Sequence, residues 1–273
     1  MELTVLVDNN NRVGNCLISE HGLSFYIKED NVELLFDCGS TDAFIKNAYK
    51  MDMDLEHVTD IILSHSHKDH VGGFLRLQSL YKKFKYIGLE LEPKNVIAHP
   101  DVFKEVPPQQ KEEGEEETLK DETFHLSKEK LEKFFNLTLT DKPVRITPKL
   151  IYLGQIPLKY GNVKDDYAPD ETALAYKAKD GLIIISGCSH SGVENIIEHA
   201  KLVTGENRIQ TIIGGLYLIN RDGDEINALG RYLQSQNIKQ IYPCHCTDLE
   251  SKIILSKFVI IKEVNTGKRY KWE

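Results

Sequence analysis

The chain has 273 residues, 41% of them hydrophobic, and is long enough to bury a full core. Its net charge of -8 argues against binding a nucleic-acid backbone through bulk positive charge, because such binding needs clustered Lys and Arg. No stretch approaches the roughly 18 consecutive apolar residues of a membrane span, and the five scattered cysteines fit a reducing compartment. We therefore expect a soluble, cytoplasmic protein that does not act on a membrane or a nucleic acid. The expected partner is a small-molecule, anionic substrate. Self-association into a homo-oligomer stays open.

Short apolar runs alternate with amphipathic segments along the first part of the chain. Residues 41–51 predict a helix capped by Thr41 or Asp42, and residues 72–84 predict a helix with one apolar face. Strands are predicted where apolar residues alternate between turn residues, at 3–9, 23–29, 32–39 and 58–65. This alternation of strands and helices indicates an α/β (α+β) fold.

Residues 101–145 differ in character from the segments around them. They include the run "KEEGEEE", they are poor in strand formers, and they are interrupted by Pro107, Pro108 and Gly114. We interpret them as a charged, mostly helical insertion in a single domain that spans residues 1–273. The insertion could serve as a lid or a dimerisation arm, and the alternative is a solvated charged face.

Strand and helix patterns alternate again after this segment. Buried-strand patterns and amphipathic patterns follow one another with short connections. The predicted strands are 149–156, 172–178, 181–188, 209–218, 238–245 and 268–273, and the predicted helices are 192–203, 225–236 and 249–258.

The most informative stretch is "HSHKDH", which places three histidines and an aspartate in six positions between a predicted strand and a predicted helix. In an extended segment His65 and His67 point to the same side and can share one cation. Asp69 and His70 follow a turn and project toward a second point nearby, so the arrangement suits two divalent metal ions. Imidazole and carboxylate favour zinc, and they also serve iron, manganese or nickel. The alternative is a set of exposed loop histidines with no ligand.

"HSHKDH" resembles the H-x-H-x-D-H signature of the metallo-β-lactamase superfamily, and "VELLFDCG" and "GLIIISGC" are similar to two strands of that family. The resemblance implies an αββα sandwich with two metals at one edge, between the sheets. It also implies hydrolysis by a metal-bound hydroxide. His65 and His67 would hold the first metal, Asp69 and His70 would hold the second, and Asp69 would also orient the hydroxide as a catalytic residue.

Two later motifs would complete the ligand set that the resemblance implies. "YPCHCTD" places His245 at a strand end, where the family supplies its last histidine to the second metal. Its neighbours Cys244 and Cys246 form a C-x-C pair without a second pair, so we interpret them as packing residues and not as a structural zinc site. In "SGCSHSG", Cys188 occupies the position that is commonly a bridging aspartate, and His190 follows two residues later.

The sequence departs from the family pattern at the third histidine of the first metal. The stretch "DYAPDETALAY", where this histidine is expected, contains none. Either His190, Asp170 or Glu171 takes its place, or the first metal is bound weakly. We prefer His190 because a neutral imidazole adds no buried charge. The alternatives remain that Cys188 is a small buried residue at a strand end and that His190 only begins a helix.

The leading hypothesis is a dinuclear metallohydrolase of a small ester or phosphate-containing substrate. Together the motifs also resemble a branch of the superfamily in archaea and anaerobic bacteria, some members of which are named 7,8-dihydropterin-6-methyl-4-(β-D-ribofuranosyl)aminobenzene-phosphate synthases. That resemblance implies a transferase that joins a pterin to an aminobenzene ribotide and releases pyrophosphate. A non-hydrolytic metal or redox protein is the third hypothesis. The remaining histidines are predicted to be solvated or structural: His21, His57, His99, His125 and His199.

Overall fold

The structure is a computed structural model, and it describes residues 1–89, 91–103, 128–160 and 167–273. Its strands form two seven-stranded sheets. The first sheet contains β1 (Glu2–Val7), β2 (Ser24–Glu29), β3 (Val32–Phe36), β4 (Asp60–Ile62), β5 (Lys94–Ala98), β6 (Phe135–Leu139) and β14 (Arg269–Lys271), in the order β14-β1-β2-β3-β4-β5-β6. The second contains β7 (Val144–Arg145), β8 (Leu150–Tyr152), β9 (Ala173–Ala178), β10 (Gly181–Ser186), β11 (Ile209–Gly215), β12 (Gln240–Cys244) and β13 (Ile260–Ile261), in the order β13-β12-β11-β10-β9-β8-β7.

Helices cover the outer face of each sheet. The helices of the described residues are α1 (Ala43–Lys50), α2 (Lys68–Val71), α3 (Phe74–Tyr86), α4 (Lys128–Leu131), α5 (Val193–Thr204), α6 (Gly223–Ser235) and α7 (Leu249–Leu255), with short 3-10 helices at Leu55–His57 and Pro100–Phe103. At the start of α1 the hydroxyl of Thr41 accepts the N–H of Ala43 at 3.1 Å, whereas the side chain of Asp42 makes no capping bond. Within the described ranges, no helix has the length and apolar character that crossing a membrane would require.

The central strands are apolar on both sides because both faces of each sheet are covered there. In β10, Ile183 and Ile185 pack between the two sheets, and Leu182 and Ile184 pack against the outer helices. β3 behaves in the same way in the first sheet, where Leu35 faces the helical layer. Strands that are buried on both faces have nearly continuous apolar sequences. The four-layer αββα sandwich that the sequence predicted is therefore confirmed.

Strand direction places the ends of several strands at one edge of the sandwich. β3, β4 and β5 are parallel to one another in the first sheet, and β10, β11 and β12 are parallel in the second. β9 is antiparallel to β10, so the beginning of β9 lies beside the end of β10. The loops that leave these strand ends are close together in space, and they carry the predicted ligands.

The segment predicted as an insertion differs from expectation at its C-terminal end. Residues 104–127, its most charged part, lie outside the described residues. Within residues 135–139, predicted to be mostly helical, the chain forms β6, which pairs in parallel with β5. Phe135 and Leu137 pack against the helical layer of the first sheet. The alternating apolar residues of this short segment therefore form a strand, although a charged run precedes them.

Candidate metal centre

The first group of ligand-type side chains consists of His65, His67 and His190. One ring nitrogen of each lies within 4.8 Å of the others, and the ring centroids are 4.6 to 4.9 Å apart. His65 and His67 follow β4, whereas His190 lies in the loop between β10 and α5 of the other sheet. The structure thus brings together the two histidines of the motif and the residue that the sequence favoured as the third.

A hydrogen bond at Nδ1 of His65 directs its second ring nitrogen, Nε2, toward this group. The Ser64 hydroxyl donates to the Asp37 carboxylate at 2.7 Å, so its oxygen accepts a bond from Nδ1 of His65 at 2.9 Å. The lone pair of His65 then lies on Nε2, a buried atom with no hydrogen-bond partner among the described residues. Burial and the neighbouring His70 hold the pKa of His65 well below its usual value. A neutral, correctly oriented imidazole is what a metal ion requires.

The second group consists of His70, Cys188 and His245, whose ligand atoms also lie within 4.8 Å of one another. Nδ1 of His70 bonds to the Asp37 carboxylate at 2.7 Å, and Nδ1 of His245 bonds to Oδ1 of Asn9 at 3.0 Å. The two Nε2 atoms therefore face each other, 3.1 Å apart. Two lone pairs at this distance need a positive charge between them.

Asp69 adds a negative charge at the same point. Its Oδ2 lies 3.0 Å from Nε2 of His245 and 3.6 Å from Nε2 of His70. Burial would lower the pKa of His70, but the carboxylates of Asp69 and Asp37 outweigh it and raise this pKa to about 9. Burial alone would raise the pKa of Asp69, yet the surrounding histidines, His70 foremost, hold it far below its usual range. In the metal-free chain a proton on His70 satisfies this acceptor cluster, and a divalent cation fits the same position.

Asp37 is a shared partner of both groups. Its buried carboxylate accepts the N–H and the hydroxyl of Ser64 and the Nδ1–H of His70, each at 2.7 Å. It therefore orients one histidine of the second group directly and one of the first group through Ser64. The sequence marked Asp37 only as the aspartate that ends a family-like strand and gave it no role.

The backbone around the site is strained. Non-glycine residues with positive φ are uncommon, and they persist where the surrounding structure holds them, often at functional sites. Such residues include Asp37 (60°), Ser189 (67°), Tyr217 (51°) and His245 (52°), which lie in loops within or beside the two groups.

Glycines allow the site loops to approach one another closely. A Cβ at Gly73 would lie 2.2 Å from the carbonyl oxygen of Cys38, and a Cβ at Gly187 would lie 2.3 Å from Oγ of Ser64. Gly187 therefore lets the end of β10 reach the partner that orients His65.

The two alternatives to His190 as the third ligand, Asp170 and Glu171, have different surroundings from each other. Both carboxylate oxygens of Glu171 accept backbone N–H groups, from His190 at 2.6 Å and from Ser191 at 2.7 Å. Glu171 is buried, and burial raises its pKa to about 7. Burial also raises the pKa of Asp170, whose Oδ2 has no hydrogen-bond partner among the described residues. Glu171 thus supports the loop that carries His190 through both of its carboxylate oxygens.

The cysteines of the C-x-C pair are buried, and neither belongs to a ligand group of the described residues. Sγ of Cys246 lies 2.8 Å from Sγ of Cys188 and accepts the N–H of Tyr217 at 3.2 Å. Cys246 therefore packs directly against the side chain of Cys188. Burial and this neighbouring thiol raise the pKa of Cys188, so binding of a metal would have to displace its proton.

Sequence reasoning missed His21 and Asn9. Nε2 of His21 lies 3.2 Å from Oδ2 of Asp69, and His21, Asp69 and His245 form a third group of ligand atoms within 4.8 Å. Neither residue belongs to a recognisable motif, and both are far from the histidine cluster in the sequence, so no local signal marked them. Among the other histidines, His57 is exposed, His99 and His199 bond to nearby backbone groups, and His125 lies outside the described residues.

A cavity of about 290 Å³ opens beside His190. Its wall is aromatic and aliphatic, with two carboxylates, and includes Tyr160, Tyr167, Tyr217, Leu218, Glu194 and Glu225. A largely apolar pocket of this size next to convergent polar groups is the usual form of a small-molecule site.

Comparison with known proteins agrees with this geometry. Residues 19–130 match the model of the metallo-beta-lactamase superfamily. A 7,8-dihydropterin-6-methyl-4-(beta-D-ribofuranosyl)-aminobenzene-5'-phosphate synthase from Methanocaldococcus jannaschii is 30% identical over 258 residues, which cover 86% of this chain and 83% of the relative. An uncharacterized protein of the same organism is 28% identical over 93% of this chain and 94% of its own length.

Solved structures extend the likeness to nearly the whole chain. Tm1679, described as a metal-dependent hydrolase of the beta-lactamase superfamily, superimposes with a TM-score of 0.75 at 26% identity and covers 99% of this chain and 98% of its own. YhfI from Bacillus subtilis, a metallo-beta-lactamase fold protein, shares the fold with a TM-score of 0.63 at 14% identity, with 98% of each chain covered. The chain therefore belongs to the metallo-beta-lactamase superfamily, in the branch that includes the methanogen synthase.

Proposed function

We propose that this protein is a metal-dependent hydrolase of a small ester or phosphate-containing substrate. The observation that carries the proposal is the convergence of acceptor atoms at the sheet edge. Nε2 of His70, Nε2 of His245 and Oδ2 of Asp69 lie 3.0 to 3.6 Å from one another. The Nδ1 atoms of the two histidines are engaged by Asp37 and Asn9, so both Nε2 atoms face this point. A folded chain that assembles such an arrangement gains stability from a cation there.

The residues divide naturally between two cations. His65, His67 and His190 would hold the first, and His70, Cys188, His245 and Asp69 would hold the second. When bound, divalent cations supply a Lewis acid that polarises an ester or phosphoryl oxygen and acidifies water. A set of imidazoles with one thiolate and one carboxylate favours zinc, iron or cobalt over magnesium or calcium.

Asp69 has a further role in this proposal. Its Oδ2 faces His70 and His245, whereas its buried Oδ1 has no hydrogen-bond partner among the described residues. Oδ1 can therefore accept a hydrogen bond from an attacking water and orient it. The substrate's anionic group would bind at the cations, and its remaining part would occupy the cavity beside His190.

The first test is hydrolysis by protein reconstituted with zinc or manganese, using bis(4-nitrophenyl) phosphate, 4-nitrophenyl phosphate and an aryl ester. We expect turnover of at least one substrate that requires metal and is abolished by His245→Asn. Asn tolerates the left-handed backbone conformation at this position, so the variant removes the ligand without adding backbone strain. Stoichiometric metal binding without turnover of the panel would overturn the hydrolase proposal.

A synthase-type transferase is the second candidate, and the 30% identity with the methanogen synthase favours it. Here the cations would neutralise a pyrophosphate leaving group, and the second substrate would provide the nucleophile. The metal-loaded protein should then convert a dihydropterin diphosphate and an aminobenzene ribotide into a coupled product and pyrophosphate, both detected by mass spectrometry. Hydrolysis of the phosphodiester without coupling would exclude this candidate.

A further inference from the structure

Four side chains form a closed ring of polar contacts at the outer side of the second group. Asn9 contacts Nδ1 of His245 through Oδ1 at 3.0 Å and Nδ1 of His21 through Nδ2 at 3.4 Å. Asp69 closes the ring, because its Oδ2 lies 3.0 Å from Nε2 of His245 and 3.2 Å from Nε2 of His21. Asp69 and His245 are predicted ligands, whereas Asn9 and His21 have no role in the proposed function.

The surroundings of Asn9 fix the direction of its hydrogen bonds. Its Oδ1 also accepts the N–H of Gly22 at 3.2 Å, and its Nδ2 also donates to the carbonyl oxygen of His245 at 3.3 Å. The amide oxygen therefore faces Nδ1 of His245, which must carry a proton, and the amide nitrogen faces Nδ1 of His21, which must accept. Nε2 of His245 is then a lone pair, and Nε2 of His21 is an N–H donor.

The polypeptide backbone supports this arrangement. Asn9 follows β1, and the preceding Asp8 accepts the N–H of His245 at 2.8 Å. The Asp8 carboxylate and the Asn9 amide, just after β1, thus hold the backbone N–H and the ring Nδ1 of His245. His21 lies on the solvent side, with 63% of its side chain exposed, whereas only 8% of the Asp69 side chain is exposed.

From this ring we infer that Asn9 and His21 are positioning residues for the second cation. Asn9 holds His245 in the tautomer that directs Nε2 at the cation, and His21 donates to Oδ2 of Asp69 and fixes the carboxylate in place. The inference rests on the proposed function, because it requires a cation at the second group. Partners of this kind determine ligand orientation and basicity, and their loss typically costs about 10- to 100-fold in metal affinity.

The main alternative is that His21 is itself a ligand, and a conservative substitution separates the two roles. The side chain of Gln places an amide N–H near the position of Nε2, so His21→Gln keeps a donor to Asp69 and removes the imidazole lone pair. His21→Ala removes both, and Asn9→Ala removes the partner of both histidines. His57→Ala is the matched control, because His57 is similarly exposed, at 69%, and also lies beside an aspartate, 3.9 Å from Asp54.

The experiment titrates metal-free protein with zinc against a chromophoric chelator and with cobalt by absorption spectroscopy. We expect Asn9→Ala and His21→Ala to weaken binding of the cation at the second group by about 10- to 100-fold, and we expect His21→Gln and His57→Ala to stay near the wild type. Binding of the cation at the first group should be unchanged in every variant. Circular dichroism and the Tm of the metal-free proteins verify that each variant is folded.

Each other outcome overturns the inference. Equal losses in His21→Gln and His21→Ala, with a changed cobalt spectrum, would make His21 a ligand. Unchanged affinity in His21→Ala or Asn9→Ala would show that the ring does not support the cation. If the wild type itself bound no cation at the second group, the proposed function would fail, which is a different result from variants that match a two-metal wild type.

Discussion

The two ligand groups differ in the charge that they offer a cation. The first consists of three imidazoles, whereas the second combines two imidazoles with the thiol of Cys188 and has the carboxylate of Asp69 beside it. A divalent cation bound by neutral ligands keeps its full charge in a buried site, and one bound beside a carboxylate and a thiolate is largely neutralised. We therefore expect the second group to bind its cation more tightly than the first.

The groups also differ in how the fold assembles them. Two of the three histidines of the first group are two residues apart in one loop, and only His190 comes from the second sheet. The second group takes His70 from the first sheet and Cys188 and His245 from two separate strand ends of the second. We therefore expect the second group to depend more on correct packing of the two sheets.

The largest effect is expected for His245→Asn. Removing the imidazole that faces His70 and Asp69 should weaken the tight equivalent by more than about 100-fold, beyond the usual cost of losing an outer partner. Elemental analysis after gel filtration should find about one metal per chain, bound weakly. Retention of the tight equivalent in this variant would remove His245 from the ligand set.

His190→Ala should have the complementary effect. The weak equivalent should be lost while the tight one stays within a few-fold of the wild type, because His190 belongs to the first group and not to the second. A chelator titration with two resolved equivalents measures both. Two intact equivalents in His190→Ala would show that another residue serves as the third ligand, and Glu171→Gln would then be the variant to examine.

Asp37→Asn should affect both groups together. The amide cannot accept from Ser64 and His70 as the carboxylate does, so the orientation of His65 and of His70 should loosen and each equivalent should weaken by about 10- to 100-fold. Asn tolerates the positive φ of this position, so the backbone remains compatible. Weakening of only one equivalent would contradict the shared role of Asp37.

The smallest effect concerns Glu171 and the pH dependence of stability in metal-free protein. Its pKa in the folded chain is raised to about 7, so the folded state retains a proton that the unfolded chain loses near pH 4 to 5. The stabilisation is fully present below the unfolded pKa and is lost as pH rises through about 7. Between pH 5 and 7 the free energy of unfolding should therefore fall by about 2 kcal/mol more in the wild type than in Glu171→Gln.

Urea unfolding at a series of pH values measures this difference. The histidines titrate in both proteins, so only the difference between the two pH profiles reports on Glu171. Parallel profiles would show that Glu171 is ionised in the folded chain throughout this range, held by the N–H groups of His190 and Ser191.

Much of the fold followed from local patterns in the sequence. The strands that became β1, β2, β3, β9, β10, β11 and β12 carry apolar runs bounded by turn residues, and the structure confirms them. β6 was missed because its five residues follow a charged run that resembles an exposed helix. Its place in the sheet depends on pairing with β5, which no local pattern reveals.

The sequence by itself determined where the candidate site lies, because four ligand-type residues within six positions of one loop need no tertiary information to be noticed. Only the tertiary structure decided which distant residues complete the site. It placed His190 beside His65 and His67, turned Glu171 toward the backbone, and put Asn9 against His245, 236 residues away. The physical reason is that side-chain direction in these loops depends on strained backbone conformations and on contacts between the two sheets, and both arise only when the sandwich is packed.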